Sequence, residues 1–218
     1  MTDAVPVGVV EDHALYRSML MTSLATHEDI RVVMTVTSAA DARAKFVPGA
    51  ARVVIVALGL PDASGIDLGI ELRRRDPLVR ILLLSSHNAM DALADLPSDV
   101  AHGWSYLSKS STTNITTLVR AVRATASGVT VLDPVLVASA IPNRRTALAN
   151  LTNRQYEVLQ KVALGLSNRS IAEHFGIAVR SVHNHLTGIY AALGIAQNGE
   201  ENQRVTAVLR FIAESRQR

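Results

Sequence analysis

Two sets of residues in this 218-residue chain have types and spacings that suit chemistry. The first is spread along the N-terminal half. Glu11 and Asp12 are adjacent carboxylates after an apolar run, suited to a hard cation. Ser85 and Ser86 follow a second apolar run, and Lys109, the only lysine between Lys45 and Lys161, follows a third. A carboxylate pair, a hydroxyl and a lone ammonium at one end of one sheet suit Mg2+ and a phosphoryl group. The same residues also fit a structural role, with Glu11 or Asp12 capping a helix and Lys109 paired to it. The second set is a polar stripe near the C-terminus. Arg180, Ser181, His183, Asn184 and Thr187 occupy one side of a helical segment, and Val182, Leu186, Ile189 and Leu193 the other. Such a stripe can lie in the major groove of DNA, where Asn pairs bidentately with adenine and Thr or His reaches single base edges. An ordinary solvated helix face has the same pattern.

The first set needs a sheet to assemble it, and the sequence supplies one. Val5–Val10, Val32–Val36, Arg52–Ala57, Val79–Ser85 and Gly103–Leu107 read as short β-rich runs. Between them lie stretches with helical spacing, such as Leu15, Met19, Leu20 and Leu24. Alternating strands and helices predict an α/β fold with a doubly wound parallel sheet, whose ligands bind beyond the carboxyl ends of the strands. Ser111–Ser127 reads as the closing helix, with Ile115, Leu118, Val119 and Val122 on one face and Gly128 as its stop. The stretch VTVLDPVLVASAIPNRRTALAN then reads as a linker with one short helix. From Leu151 onward the pattern is short helices. A capping box, Thr152 to Gln155, precedes Val158, Leu159, Val162 and Ala163. Helices are predicted from Asn168 to Phe175, Arg180 to Leu193 and Asn202 to Ser215, punctuated by Gly165, Gly176 and Gly194. The predicted division is 1–127, a linker at 128–149, and 150–218.

Composition narrows the function. Hydrophobic residues at 48% and charged residues at 19% allow a packed core. The absence of cysteine excludes disulfide scaffolds, thiol catalysis and cysteine-ligated metals. The longest apolar run, Val53 to Leu58, is too short to span a bilayer, and MTDAVPVGVVED has no secretory pattern, so a cytoplasmic protein without membrane contact is expected. Residues 1–141 carry 12 Lys and Arg against 14 Asp and Glu, whereas residues 142–218 carry 10 against 5. A basic C-terminal third on an acidic body suits a polyanion-binding module. An enzyme would need a nucleophile or a complete metal site, and both are lacking, so none is expected.

The segments VVEDHALYRSML, VVIVALGLPDASGIDL, ILLLSSHN and GWSYLSKS resemble the receiver domain of bacterial response regulators from about Val5 to Ser127. The resemblance implies a five-stranded flavodoxin-like sheet in the order 2-1-3-4-5. It places Glu11 and Asp12 at Mg2+, Ser85, Ser86 and Lys109 around the phosphoryl group, and Ser85 with Tyr106 as the activation switch. The family's phosphoacceptor aspartate falls at Ala57. A methyl group neither accepts a phosphoryl group nor ligates a metal, so the resemblance implies a weakened Mg2+ site and a Lys109 turned to Asp12 or Glu11. Asp62 and Asp67 lie beyond Pro61 and are expected to point away. Two histories fit: a natural receiver that has dispensed with phosphorylation, or one whose aspartate was replaced to hold it unphosphorylated.

The segment LTNRQYEVLQKVALGLSNRSIAEHFGIAVRSVHNHLTGIYAALGI resembles the LuxR-type helix-turn-helix, a small all-α four-helix domain, and the pair is the NarL/FixJ architecture. By position, His183, Asn184 and Thr187 are implied to face bases, with Asn168, Arg169, Arg180, Ser181 and His185 as positioning or backbone contacts. Val205, Val208 and Leu209 are implied to form a dimer contact. The implied partners are double-stranded DNA, a second copy on DNA, and a cognate sensor histidine kinase docking near His13–Met19. Ala178 stands where the family caps the recognition helix, and Gly188 lies inside that helix, each weakening it by about 1 kcal/mol. Gln197–Glu201 is an acidic insertion before the last helix. The expected function is a DNA-binding transcriptional regulator of a two-component system that cannot be phosphorylated at the usual site. The alternative is an interaction scaffold in which a pseudo-receiver docks a kinase or partner. A small ligand in the emptied pocket is a further expectation.

Overall fold

The computed structural model describes residues 4–86, 93, 96–97, 99–142, 145–195 and 203–217. The chain forms two compact units, the first built mainly from residues up to Val131 and the second mainly from Leu132 onward.

In the first unit the strands are β1 (Val5–Val10), β2 (Ile30–Val36), β3 (Val53–Ala57), β4 (Arg80–Ser85) and β5 (Trp104–Ser108). They form one sheet in the order β2-β1-β3-β4-β5, parallel at every pairing. The helices are α1 (Ala14–Ala25), α2 (Ala39–Lys45), α3 (Gly65–Arg75) and α4 (Ile115–Ala126). Alternate strand residues Val7, Val9, Ile55, Leu82, Leu84 and Leu107 pack with Leu20, Leu24, Leu118, Val119 and Val122. Val54, Val56, Ile81, Leu83 and Tyr106 are equally buried, which is why the strands read as continuous apolar runs. Side-chain oxygens of Ser38, Ser64 and Asn114 accept from the first-turn amides of α2, α3 and α4. The closing helix is shorter than predicted. Ser111–Thr113 is a 3-10 turn, Asn114 restarts the chain as a cap, and Ile115, in the first turn and outside the covered stripe, is 44% exposed. Gly65 lies where β3 runs into α3. A methyl there would overlap the Ala57 carbonyl oxygen and sit 3.0 Å from Leu58 Cα, so only glycine lets the helix start this close to the strand end.

The second unit contains α5 (Pro134–Ser139), β6 (Ala140–Pro142), a 3-10 turn (Ala147–Asn150), α6 (Asn153–Ala163), α7 (Asn168–Phe175), α8 (Val179–Ala192), α9 (Gln203–Glu214) and β7 (Ser215–Gln217). Buried Asp133 caps α5, accepting from the Val135 and Leu136 amides. The segment read as a linker packs on α6: Leu132 N donates to Ala163 O at 2.8 Å, Tyr156 OH to Ala140 O at 3.0 Å, and Gln160 Nε2 to Val137 O at 3.3 Å. Both bonds of the Thr152–Gln155 capping box are made, at 3.2 and 2.9 Å. Gly176, left-handed at φ 63°, ends α7 before α8 begins. No side chain caps α8 at Ala178, yet it runs 14 residues, anchored by Val182, Leu186 and Ile189. A methyl at Gly188 would sit 2.5 Å from Gln155 Nε2, so this glycine admits the start of α6 against α8. The ribbon of β6 and β7, antiparallel with Ala140 opposite Gln217, is an addition to the helices expected here. Among the described residues no helix is long and apolar enough to cross a membrane.

Candidate phosphoryl pocket and nucleic-acid interface

Strand order reverses beside β1, and the carboxyl ends of β1, β3, β4 and β5 carry the first set of residues. Glu11 follows β1 and is 1% exposed, whereas Asp12 faces solvent. Arg17 Nη1 donates to the carbonyls of Glu11 and Asp12 at 2.7 and 3.0 Å, which fixes this corner. Lys109 follows β5, its amide donating to Ser85 O at 2.7 Å. Its ammonium lies 2.7 Å from the Glu11 carboxylate and 4.6 Å from the centre of the Tyr16 ring. The His13 amide donates to Glu11 Oε1 at 3.1 Å. Burial, together with the Glu11 charge, pushes the Tyr16 phenol up to about 12, against the hydrogen bond that its hydroxyl shares with Thr112. Ser85 and Tyr106 are buried and Ser86 is exposed. Asp12, His13, Tyr16, Ser86 and Lys109 line an open cleft of ≈ 370 Å³.

Ala57 ends β3, 1% exposed and opposite Leu84. Position 57 thus presents a methyl group at the carboxyl end of β3. The donor set available to Mg2+ is thin. The Glu11 carboxylate is held by the Lys109 ammonium, leaving Asp12 as the one solvent-facing carboxylate of the pair. Among the described residues, no three His, Cys, Asp or Glu side chains converge on a point that could hold a metal. Mg2+ demands near-octahedral oxygen ligation, normally from carboxylates together with a phosphate. Asp62 does not substitute. Its two oxygens accept from the Ala39 and Ala40 amides at 2.8 Å each, bonds that hold its pKa below the usual carboxylate range. Asp67 lies in the first turn of α3.

In the second unit α8 turns Arg180, His183, Asn184 and Thr187 to solvent, with Ser181 and His185 half-buried at the flanks. Thr187 Oγ1 donates to His183 O at 3.1 Å. Asn168, at the start of α7, places Nδ2 3.4 Å from His183 Nε2, and its Oδ1 accepts from Arg204 Nη1 at 3.0 Å. Arg204 also donates to Leu166 O, and burial lowers its pKa. Sequence reasoning passed over Arg204, which had only its charge as a signal. Arg169 is exposed and pairs with Glu173 at 3.0 Å. The predicted dimer contact requires correction. Val205 and Val208 are 4% and 1% exposed within the unit itself. With Phe211 and Ile212 they form the stripe by which α9 covers α6 and α8, so only Leu209, half-buried, keeps an outward surface. Gln197–Glu201 and Asn202 lie outside the described residues.

Comparison with known proteins agrees with both halves. Residues 7–133 match the response regulator receiver domain, and residues 149–209 match the bacterial regulatory proteins of the luxR family. The DNA-binding transcriptional activator DevR/DosR of Mycobacterium tuberculosis is 30% identical over 197 residues, 88% of this chain and 89% of that protein. The response regulator protein VraR of Staphylococcus epidermidis is 28% identical over 202 residues, 88% of this chain and 91% of that protein. The solved structure of RcsB from Salmonella enterica serovar Typhimurium, bound to promoter P1flhDC in the presence of phosphomimetic BeF3−, shares the fold, with a TM-score of 0.50, 20% identity, and coverage of 97% of this chain and 99% of that one. With a receiver sheet of order 2-1-3-4-5 and a LuxR-type helical unit in one polypeptide, this chain belongs to the NarL/LuxR family of two-component response regulators.

Proposed function

We propose that this chain is a DNA-binding transcriptional regulator whose receiver takes no phosphoryl group at position 57. The observation that carries the DNA reading is the α8 stripe. Arg180, His183, Asn184 and Thr187 stand in solvent on a helix whose other face is locked into the unit by Val182, Leu186 and Ile189. A helix held that way presents its polar edge as a rigid reader, with Asn184 suited to adenine and Arg180 to guanine or phosphate. The relatives named for DNA binding support the same reading. The module would read two-fold half-sites as a dimer, with half-buried Leu209 the part of the predicted contact that still reaches the surface. The receiver reading rests on chemistry: an alanine side chain has no atom that could bond phosphorus, and Lys109 is already paired with Glu11.

The test is fluorescence anisotropy with DNA from the protein's own upstream region, at stated salt. Asn184→Ala should lose about 1–3 kcal/mol and relax the preference for adenine, and Arg180→Ala should flatten the salt dependence. Unchanged affinity in both variants would remove the DNA reading and leave the scaffold. Comparing this chain with Ala57→Asp, each with and without a small phosphodonor, separates two forms of the proposal. Tight binding only by the variant with donor marks a regulator held off. Equal binding by the unaided chain marks one controlled elsewhere.

A further inference from the structure

A concentration of positive charge in the first unit lies at the amino ends of the strands, away from position 57. Arg31, in β2, Arg52, just before β3, and Arg80, the first residue of β4, line a cavity of ≈ 670 Å³. Arg73, in α3, is buried beside Arg80: a methyl placed on Gly103 would lie 2.8 Å from Arg80 Nη1 and 3.2 Å from Arg73 Nη1, so the two guanidinium groups converge on one point. Burial lowers the pKa of both, and each is lowered further by a neighbouring cation, Arg80 by Arg52 and Arg73 by Arg80.

The compensation is thin. Arg73 spends Nη1 on the Pro77 and Val79 carbonyls, at 2.5 and 2.7 Å. Arg52 Nε donates to Ala126 O at 2.7 Å. The one carboxylate lining the cavity, Asp76, is 7% exposed and accepts from the Gly49 and Leu78 amides at 2.8 and 2.9 Å. The side chains of Arg31 and Arg80 have no hydrogen bond or ion pair among the described residues. Like charges crowded into a partly buried concavity repel, and an anion relieves that cost.

We propose that this cavity binds a phosphate-bearing small molecule of nucleotide size. Three arginines line this one concavity, and the guanidinium group can match phosphate oxygens bidentately, which a single carboxylate ligand would not require. The volume falls within the range of small-molecule sites, and Pro6, Ala51 and Leu78 give the cavity an apolar wall for the non-phosphate part. The site is independent of whether α8 reads DNA.

The experiment is isothermal titration of the full chain with ATP, pyrophosphate and orthophosphate in metal-free buffer, beside thermal melts with the same probes. ATP is expected to bind saturably and raise the melting temperature. Arg31→Met with Arg80→Met should weaken it at least about tenfold, and Arg80→Lys should fall between, because an ammonium cannot form the fork. Arg180→Ala should leave the binding unchanged, which separates this site from the basic helical unit. Pyrophosphate bound as tightly as ATP would support the anion site and assign recognition to the phosphates alone. No binding of any probe up to about 1 mM, or binding indifferent to the Arg31 and Arg80 substitutions, would overturn the proposal. A melt of Arg31→Met/Arg80→Met matching the native chain without ligand guards against misfolding. If that double variant does not fold, Arg80→Lys alone decides.

Discussion

Ala57→Asp converts the chemistry of the receiver site into a stability measurement. The substitution puts a carboxylate at a position now 1% exposed, beside Glu11, also 1% exposed, and the ammonium at hand already neutralises Glu11. Two carboxylates about 5 Å apart at an effective dielectric near 20 repel by about 3 kcal/mol. In EDTA the variant should therefore be less stable than this chain by about that amount. A divalent cation would offset part of that loss, because the introduced carboxylate joins Asp12 and competes with Glu11 for Lys109. At ten times its Kd, Mg2+ would return about 1.4 kcal/mol, or about 5 °C in melting temperature for a unit of this size. The chain with Ala57 should show no Mg2+-dependent shift. Calorimetric melts of both proteins, with EDTA and with excess Mg2+, make the comparison. An equal rise with Mg2+ in both would refute the reasoning, since it would mean that the cation site does not involve position 57.

Three further outcomes are expected. Gly65→Ala drives a methyl into the backbone of Ala57 and Leu58, so urea denaturation should report a loss of about 3 kcal/mol, exceeding the gain of up to about 1 kcal/mol in helix propensity; equal stability would contradict the close approach described. Asp62 is held below the usual carboxylate range by the Ala39 and Ala40 amides. Its contribution is present above the unfolded value of about 3.9 and lost as pH falls through the lower folded value, so Asp62→Asn should be less stable at neutral pH and converge with the parent only once pH has fallen below that lowered folded value. Tyr16, with its phenol raised to about 12, should titrate late in a spectrophotometric titration, together with the Tyr156 and Tyr190 phenols that burial also raises, and Tyr16→Phe should reduce the amplitude of the late absorbance change. Folding favours the protonated phenol, so the stability it contributes is lost as pH rises from about 10 through about 12.

The parts of this molecule legible in its sequence are those set by short-range rules. Apolar runs located the five strands to within two residues, and turn glycines and the Thr152–Gln155 box located the helices of the second unit. The choice of Glu11 over Asp12 as the Lys109 partner depended on which carboxylate the sheet buries, a tertiary fact. Val205 and Val208 misled because an apolar stripe does not say whether it faces its own core or another chain. The cavity of Arg31, Arg52 and Arg80 was invisible because its members start different strands and share no local pattern. The same holds for β6 and β7, three residues each, which pair only because α9 returns the chain to α5.

That ribbon has a mechanical consequence. Because Ala140 stands opposite Gln217, the start of β6 and the end of β7 lie side by side. A pull on those ends would open the ribbon one hydrogen bond at a time, as a zipper opens, instead of shearing all its bonds together. Trimming the last few residues would leave the β6 edge without a partner and release the segment that leads into α6.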